Sequence, residues 1–346
     1  MRVRLAILMF VAGACTLPAQ SFMRVMAYNV ENLFDTKPDR GKEDAEFLPD
    51  SERRWTTWRY WQKLNQLAKV IAAVGETSPP GLVALCEVEN DSVMFDLTHR
   101  SALRRLEYQY VMTDSPDRRG VDVALLWQPG LFRMLASYAI RIPSVEHGFK
   151  PTRDILYAKG EVFSGDTLHV LVCHLPSRAG GAPSSAAHRR LAFSVLREAV
   201  DSLLSIDTCS HILVAGDMNS MPEEEMLRNT LGVSYRADKK SCGPRCVLHA
   251  LTTRKTRGRN GAAGTYRYQG EWNCLDHLLV SHALWEGNGR VGLDSAQAVI
   301  ADFPFLLEPD VTHGGVKPFR TYLGTIYHGG YSDHLPVYTD IWMKGE

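Results

Sequence analysis

The sequence has no surplus of charge: 39 Lys and Arg stand against 39 Asp and Glu in 346 residues. Bulk charge therefore argues neither for nor against a polyanionic partner, and only local clusters can speak to that. There is no internal repeat and no low-complexity linker, so nothing divides the chain, and one domain is expected over 20–346. No second Cys/His pair lies near Cys242 and Cys246 at ligand spacing, which argues against a structural zinc site. An apolar run of membrane-spanning length is also missing. Leu5 to Ala14 is too short to cross a bilayer comfortably. With Arg2 and Arg4 ahead of it, the run reads as a secretory signal over 1–19, cut after Ala19. A lipoprotein-type cut before Cys15 is the alternative, although a fold beginning at Phe22 would leave almost no tether. The expected location is periplasmic or secreted. Export implies an oxidising compartment, in which Cys242 and Cys246, flanking Gly-Pro-Arg, are placed for a loop disulfide. Cys86 and Cys173 lie in apolar strand runs and read as small buried hydrophobes.

What is present is a chain with 45% hydrophobic and 23% charged residues, ordinary for a globular protein with a sizeable core. FMRVMAYNV, GLVALCEVEN, VDVALLW, HILVAGDMN, CLDHLLVS and PVYTDIW read as strands. ILYAKGEVF and TLHVLVCHL, separated by Ser-Gly-Asp, read as a hairpin. Trp58, Trp61, Leu64, Ala68 and Ile71 recur at spacings of three and four, which predicts a core-facing helical stripe. A second helix is expected over 184–204. The apolar strands share one pattern: each ends in polar residues, namely Asn29, Glu87, His174, Asp217 with Asn219, and Asp333 with His334. Strand ends gather at one edge of a sheet, where sites are commonly built. Two packed sheets with helices outside would bring these five ends together.

AYNVEN, LCEVEN, CHLPSR, AGDMNS, CLDHLLVS and YSDHLP, in that order, resemble the endonuclease/exonuclease/phosphatase family, which includes deoxyribonuclease I. Each motif is weak alone; six in order over nearly the whole mature chain are specific. The resemblance implies an α/β fold, a four-layered sandwich of two packed mixed β-sheets flanked by helices, and metal-dependent phosphoester hydrolysis.

The chemistry suits those positions. Attack on an anionic phosphoester needs charge neutralisation, a base and help for the leaving group. Mg²⁺ takes one or two carboxylates together with water and substrate phosphate. The resemblance makes Glu87 the main metal ligand, with Asn29 beside it and Asp333 turned toward the metal or the phosphate; Mn²⁺ and Ca²⁺ remain alternatives to Mg²⁺. Without it, Glu87 would be a solvated strand-end acid and Asn29 a turn residue. Asp217 and Asn219 would bind phosphate, orient the attacking water or approach the metal, where the plain reading is an Asx-turn before a helix near Pro222. His334 would be the general base or a phosphate contact, held by Asp276, since a carboxylate on one ring nitrogen fixes the tautomer. His174 would donate to the phosphate or the leaving oxygen, with Asp122 as its candidate acidic partner. Arg153 matches a phosphate-contacting arginine, against the plain alternative of an ion pair with Asp154.

The substrate is less legible. Residues 236–259 hold eight basic residues against Asp238, so a nucleic-acid-binding rim and a solvated loop both fit. Tyr266 and Tyr268 could stack bases, although strand packing explains them equally. GDMNS and NCLDH depart from the inositol phosphatase pattern, and no clear membrane-inserting aromatic hairpin is present, although Trp272, Trp285 and the FPFLL run at 303–307 keep that option open. A nuclease or phosphodiesterase is therefore the favoured expectation. Lipid-headgroup phosphodiesterase, phosphatase and a catalytically inactive binding module are the alternatives. No obligatory protein partner is inferred, and a monomer is expected.

Overall fold

The computed structural model describes residues 20–177, 182–235, 247–287 and 289–345. The segment read as a signal and the Cys242–Cys246 pair fall outside these. Two seven-stranded mixed sheets lie face to face. The first is built around β1 (Gln20–Leu33), with helix α1 (Thr57–Gly75), strand β2 (Leu82–Val88), short helix α2 (Asp91–Phe95) and strands β3 (Gln109–Met112) and β4 (Asp122–Trp127) following in the chain. β1 pairs parallel with β2 and antiparallel with the C-terminal strand Val337–Lys344. The second sheet holds β5 (Phe132–Ile140), β6 (Ile155–Val162), β7 (Thr167–His174), then, after helix α3 (Ala182–Ile206), β8 (His211–Asp217), and further on β9 (Val233–Ser234), β10 (Leu248–Ala250) and β13 (Asp276–Ser281). A two-stranded ribbon, β11 (Tyr266–Tyr268) with β12 (Glu271–Asn273), stands apart from it.

Period-two alternation decides which layer each side chain joins. In β8, Leu213 and Ala215 pack in the core shared by both sheets, while Ile212 and Val214 pack with Phe193, Leu196 and Val200 of α3. The result is helix, sheet, sheet, helix. Each fully buried Leu or Val contributes about 1.5–3 kcal/mol, and both faces of β8 are lined with them. Among the described residues no helix is long and apolar enough to cross a membrane.

The α1 stripe holds over Leu64, Ala68 and Ile71, which are buried with Tyr60, Lys63, Leu67, Val70 and Val74, and Trp61 packs against the core, while Trp58 is 68% exposed. Trp58 stands six residues before Leu64, which at about 100° per residue turns it roughly 120° off the buried face. Lys63 takes the core position instead. Its ammonium donates to Thr321 Oγ1 at 2.6 Å and to the carbonyl of Tyr331. Burial lowers its pKa to about 8, against the pull of Glu31.

β7 and β8 run parallel with no gap between them, and Gly216 is the reason they can. Its φ is +132°, and any Cβ there would fall inside the van der Waals shell of the Cys173 carbonyl oxygen. Gly216→Ala should cost roughly 3 kcal/mol or more, because backbone rather than a flexible side chain must move. Urea unfolding measures this, and a midpoint equal to wild type would refute the close approach.

Candidate functional site

Strand register sets the site. His174 is the parallel partner of Asp217, and Asp276 is the antiparallel partner of Asp217. Three adjacent strands therefore present three functional side chains in one row. Opposite them, Asn29 of β1 pairs with Cys86 of β2. Glu87 is the extra residue of a bulge between β2 and β4, where Cys86 faces Val123 and Val88 faces Asp122. Its φ is +66°. A bulge re-aims the side chain it carries, and here it brings Glu87 toward the other sheet.

Asp217 Oδ2 is the hub. Asn29 Nδ2 donates to it at 3.1 Å, His174 Nε2 lies 3.6 Å away and His334 Nε2 3.8 Å. Its other oxygen accepts the Asn219 N–H at 2.8 Å. The Asx-turn of the plain reading and the site geometry thus coexist in one carboxylate. Asn219, at φ +48°, donates its amide to the Leu175 carbonyl. His334 is placed by two contacts. Its N–H reaches Ser332 Oγ, whose hydroxyl donates to the Asn29 carbonyl, and its Nδ1 donates to Asp276 Oδ2 at 2.7 Å. The Tyr266 ring lies over the imidazole at 4.9 Å.

The two imidazoles are in opposite electrostatic surroundings. Burial lowers the pKa of His174 well below the ordinary value, with Arg153, Arg119 and His334 adding to the effect. Burial also works to lower His334, but Asp276, Asp217 and Asp333 outweigh it and raise its pKa well above 6.5. Burial pushes Asp217 up to about 7.

Several expected contacts differ. Asn29 faces Glu87 with its amide nitrogen, at 3.3 Å, while its oxygen accepts the Glu31 N–H. An amide nitrogen is no metal ligand, so Asn29 as placed bridges Glu87 and Asp217. Asp333 is turned to Arg320, at 3.0 Å, whose other arm meets Glu31. Arg153 is buried behind His174, donating to the carbonyls of His174 and Leu175 and pairing with Asp117; Asp154 pairs with Arg141 instead. Asp122 is engaged by Thr113 Oγ1 and the Ser115 N–H, leaving His174 Nδ1 buried with no hydrogen-bond partner among the described residues. No helix starts at Pro222; a short π-helical turn covers Met226–Leu231. Of the basic segment, 236–246 lies outside the described residues. Arg254 is turned to the Pro222 carbonyl, and Arg257 to carbonyls of its own loop. Arg119 was not anticipated: it lies 4.0 Å from Glu87 and donates to Asn32 Oδ1. The signal for it was the Arg-Arg pair just ahead of β4.

Oxygen donors suited to a hard cation are present. Glu87 is partly open to solvent, and Asp276 Oδ1 is buried without a hydrogen-bond partner among the described residues. Asp217, Asp276 and His334 offer ligand atoms all within 4.8 Å of one another, close enough to hold a metal ion. His334 Nδ1 is already committed to Asp276, which favours the Glu87 side for oxygen ligation.

Among curated proteins, none matches the sequence significantly. Solved structures do. TDP2 of D. rerio, complexed with single strand DNA product, is 15% identical, with 93% of this chain and 99% of that chain covered at a TM-score of 0.53. The human nocturnin catalytic domain with bound sulfate is 18% identical, with 93% and 97% covered at 0.52. A mannosyl-6-phosphatase of Bacteroides thetaiotaomicron is 12% identical, with 92% and 99% covered at 0.56. At these identities the likeness establishes the fold alone. The family profile described as Endonuclease/Exonuclease/phosphatase family matches residues 24–343. With that match spanning both sheets and every strand end of the site, the chain belongs to the endonuclease/exonuclease/phosphatase family, whose members are metal-dependent phosphoester hydrolases.

Proposed function

We propose that the protein is an exported phosphodiesterase that uses Mg²⁺, with nucleic acid as its favoured substrate. The supporting observation is the placement of Asp217 Oδ2 against two imidazole Nε2 atoms of different charge. A phosphate seated there meets an acceptor and two donors at once. Water approaching the phosphorus gives its proton to Asp217, which is poised near neutrality, where a base works best. His334, charged and fixed by Asp276, holds a non-bridging oxygen through Nε2. His174, neutral, donates an Nε2–H hydrogen bond to the leaving oxygen and keeps its proton. Asn29 and Asn219 hold Asp217 in line, and Arg153 supports the carbonyls on either side of the β7 end. Glu87 would hold the cation, which when bound supplies charge neutralisation to the phosphate. The DNA-bound TDP2 neighbour supports the choice of nucleic acid.

The test is hydrolysis by the purified protein, with Mg²⁺ or EDTA, of DNA, RNA, bis-p-nitrophenyl phosphate, mannose 6-phosphate and sphingomyelin vesicles. EDTA-sensitive cleavage of DNA or RNA is expected. Intact nucleic acid beside a cleaved sugar phosphate or lipid would overturn the substrate. His334→Ala should lower kcat by roughly 10²–10⁴ with the circular dichroism spectrum unchanged; near-wild-type turnover in the folded variant would remove that role. Glu87→Gln should raise the Mg²⁺ concentration needed for half-maximal rate, and an unchanged titration would count against it as the ligand.

Asp217 also ties stability to pH. Its folded pKa, about 7, lies above the ordinary 3.8. The folded state therefore favours the protonated form, so this contribution is fully present below about 3.8 and is lost as pH rises through about 7. In EDTA, Asp217→Asn should lose less stability than wild type between about pH 4 and pH 8. Parallel urea midpoints for the two proteins would contradict the shift.

A further inference from the structure

Two cavities flank the catalytic row, and their charges differ. One, of about 270 Å³, opens beside His334 and is lined by Tyr266, Asp310, His313, Lys317, Arg320 and Asp333, among others. Each of its cations has a carboxylate: Lys317 has Glu308, Arg320 has Asp333 and Glu31, and Arg267 and His313 share Asp310. The other, of about 450 Å³, is lined by Glu43, Arg118, Arg119, Lys150, Phe149 and His188, among others, and reaches the site through Arg119, 4.0 Å from Glu87, and Arg153, which donates to the His174 carbonyl. Here positive charge is left over. Arg153 and Asp117 neutralise one another. Arg118 meets Glu43 only at 3.9 Å, with both side chains exposed, a contact of little strength. Lys150 makes no hydrogen bond or ion pair among the described residues. Beside these cations, Phe149 and His188 stack at 4.9 Å, within 13° of parallel, and His188 is pinned by Ser144.

We infer that the larger cavity is a subsite for a second phosphate of the substrate, bound by Arg118 and Lys150, with Phe149 and His188 as a flat wall for the ring next to it. This rests on the phosphodiesterase reading and makes it asymmetric: the arm of the diester passing His174 carries another phosphate, and the arm passing Tyr266 enters a self-neutralised pocket. Arg119, within reach of both Glu87 and the cavity, links the two phosphate positions. Lys150 has no partner to lose among the described residues when the anion arrives, and Arg118 gives up only an exposed contact with Glu43, so little of the attraction is offset by a broken ion pair.

The experiment compares p-nitrophenyl esters that differ by one phosphate. These are thymidine 5′-(p-nitrophenyl phosphate) with and without a 3′-phosphate, and thymidine 3′-(p-nitrophenyl phosphate) with and without a 5′-phosphate. Bis-p-nitrophenyl phosphate is the reference. In one of the two pairs the added phosphate should raise kcat/KM about tenfold or more, and Arg118→Ala with Lys150→Ala should abolish the gain. Both side chains lie on the surface, so the double variant should fold. Lys150→Glu alone should reverse the preference. Hydrolysis of all the esters with no phosphate preference would overturn the subsite and leave the phosphodiesterase standing. A preference that survives the double variant would also overturn it, placing the second phosphate elsewhere. If none of the diesters, bis-p-nitrophenyl phosphate included, is hydrolysed, the phosphodiesterase reading fails first and the subsite falls with it.

Discussion

A carboxylate buried where two sheets meet is the constraint around which the rest is arranged. Taking a charge out of water costs several kcal/mol unless neighbours replace the lost hydration. Asp217 is almost wholly buried, and its replacements come from four segments: an amide from β1, a backbone N–H from its own turn, and imidazoles from the end of β7 and from the C-terminal turn. Apart from the Asn219 N–H of its own turn these come from distant parts of the chain, so the carboxylate is fully satisfied only when both sheets are formed and in register. Slipping β7 by one residue would turn His174 to the α3 face and bring Cys173 into its place.

The same arrangement separates the two histidines. Both are buried, and burial alone would leave both neutral. The difference comes from what surrounds them. His174 has arginines on its far side, whereas His334 has three carboxylates within electrostatic reach. One imidazole is thereby kept as a neutral donor and the other as a fixed cation, a division of roles that the residue type could not reveal.

Much of the fold could be read from the sequence, because apolar strands ending in polar clusters carry both period and direction. His174 and Asp217 were legible as strand ends and Asp276 through the family resemblance, and the pairing of Asp276 with His334 is the contact expected from CLDH and YSDHLP. What escaped was orientation. Nothing in LCEVEN says that Glu87 occupies a bulge at positive φ, and an asparagine written as one letter does not say which side of its amide faces a carboxylate. Asp122 follows the same rule: it begins a strand of the other sheet, where Thr113 and Ser115 donate to its oxygens. Charges that act through other charges, such as Arg320 between Glu31 and Asp333, have no local signature at all. Lys63 illustrates the opposite failure, since a lysine on a helix is ordinarily assigned to the surface.

Lys63 also alters how the site can move. Its ammonium joins α1, on the outside of the first sheet, to the segment at Thr321 and to the turn that carries His334. A catalytic turn held only by its own loop would open in small, frequent excursions. This one cannot lift without stranding a buried cation, and the cation cannot leave without disturbing the helix face on which Leu64 and Leu67 pack. Opening of the His334 turn is therefore joined to detachment of α1 as one cooperative event. Amides of the turn should exchange with solvent on the timescale of the helix rather than on that of the neighbouring surface loops, which makes this part of the site a member of the core in kinetic terms.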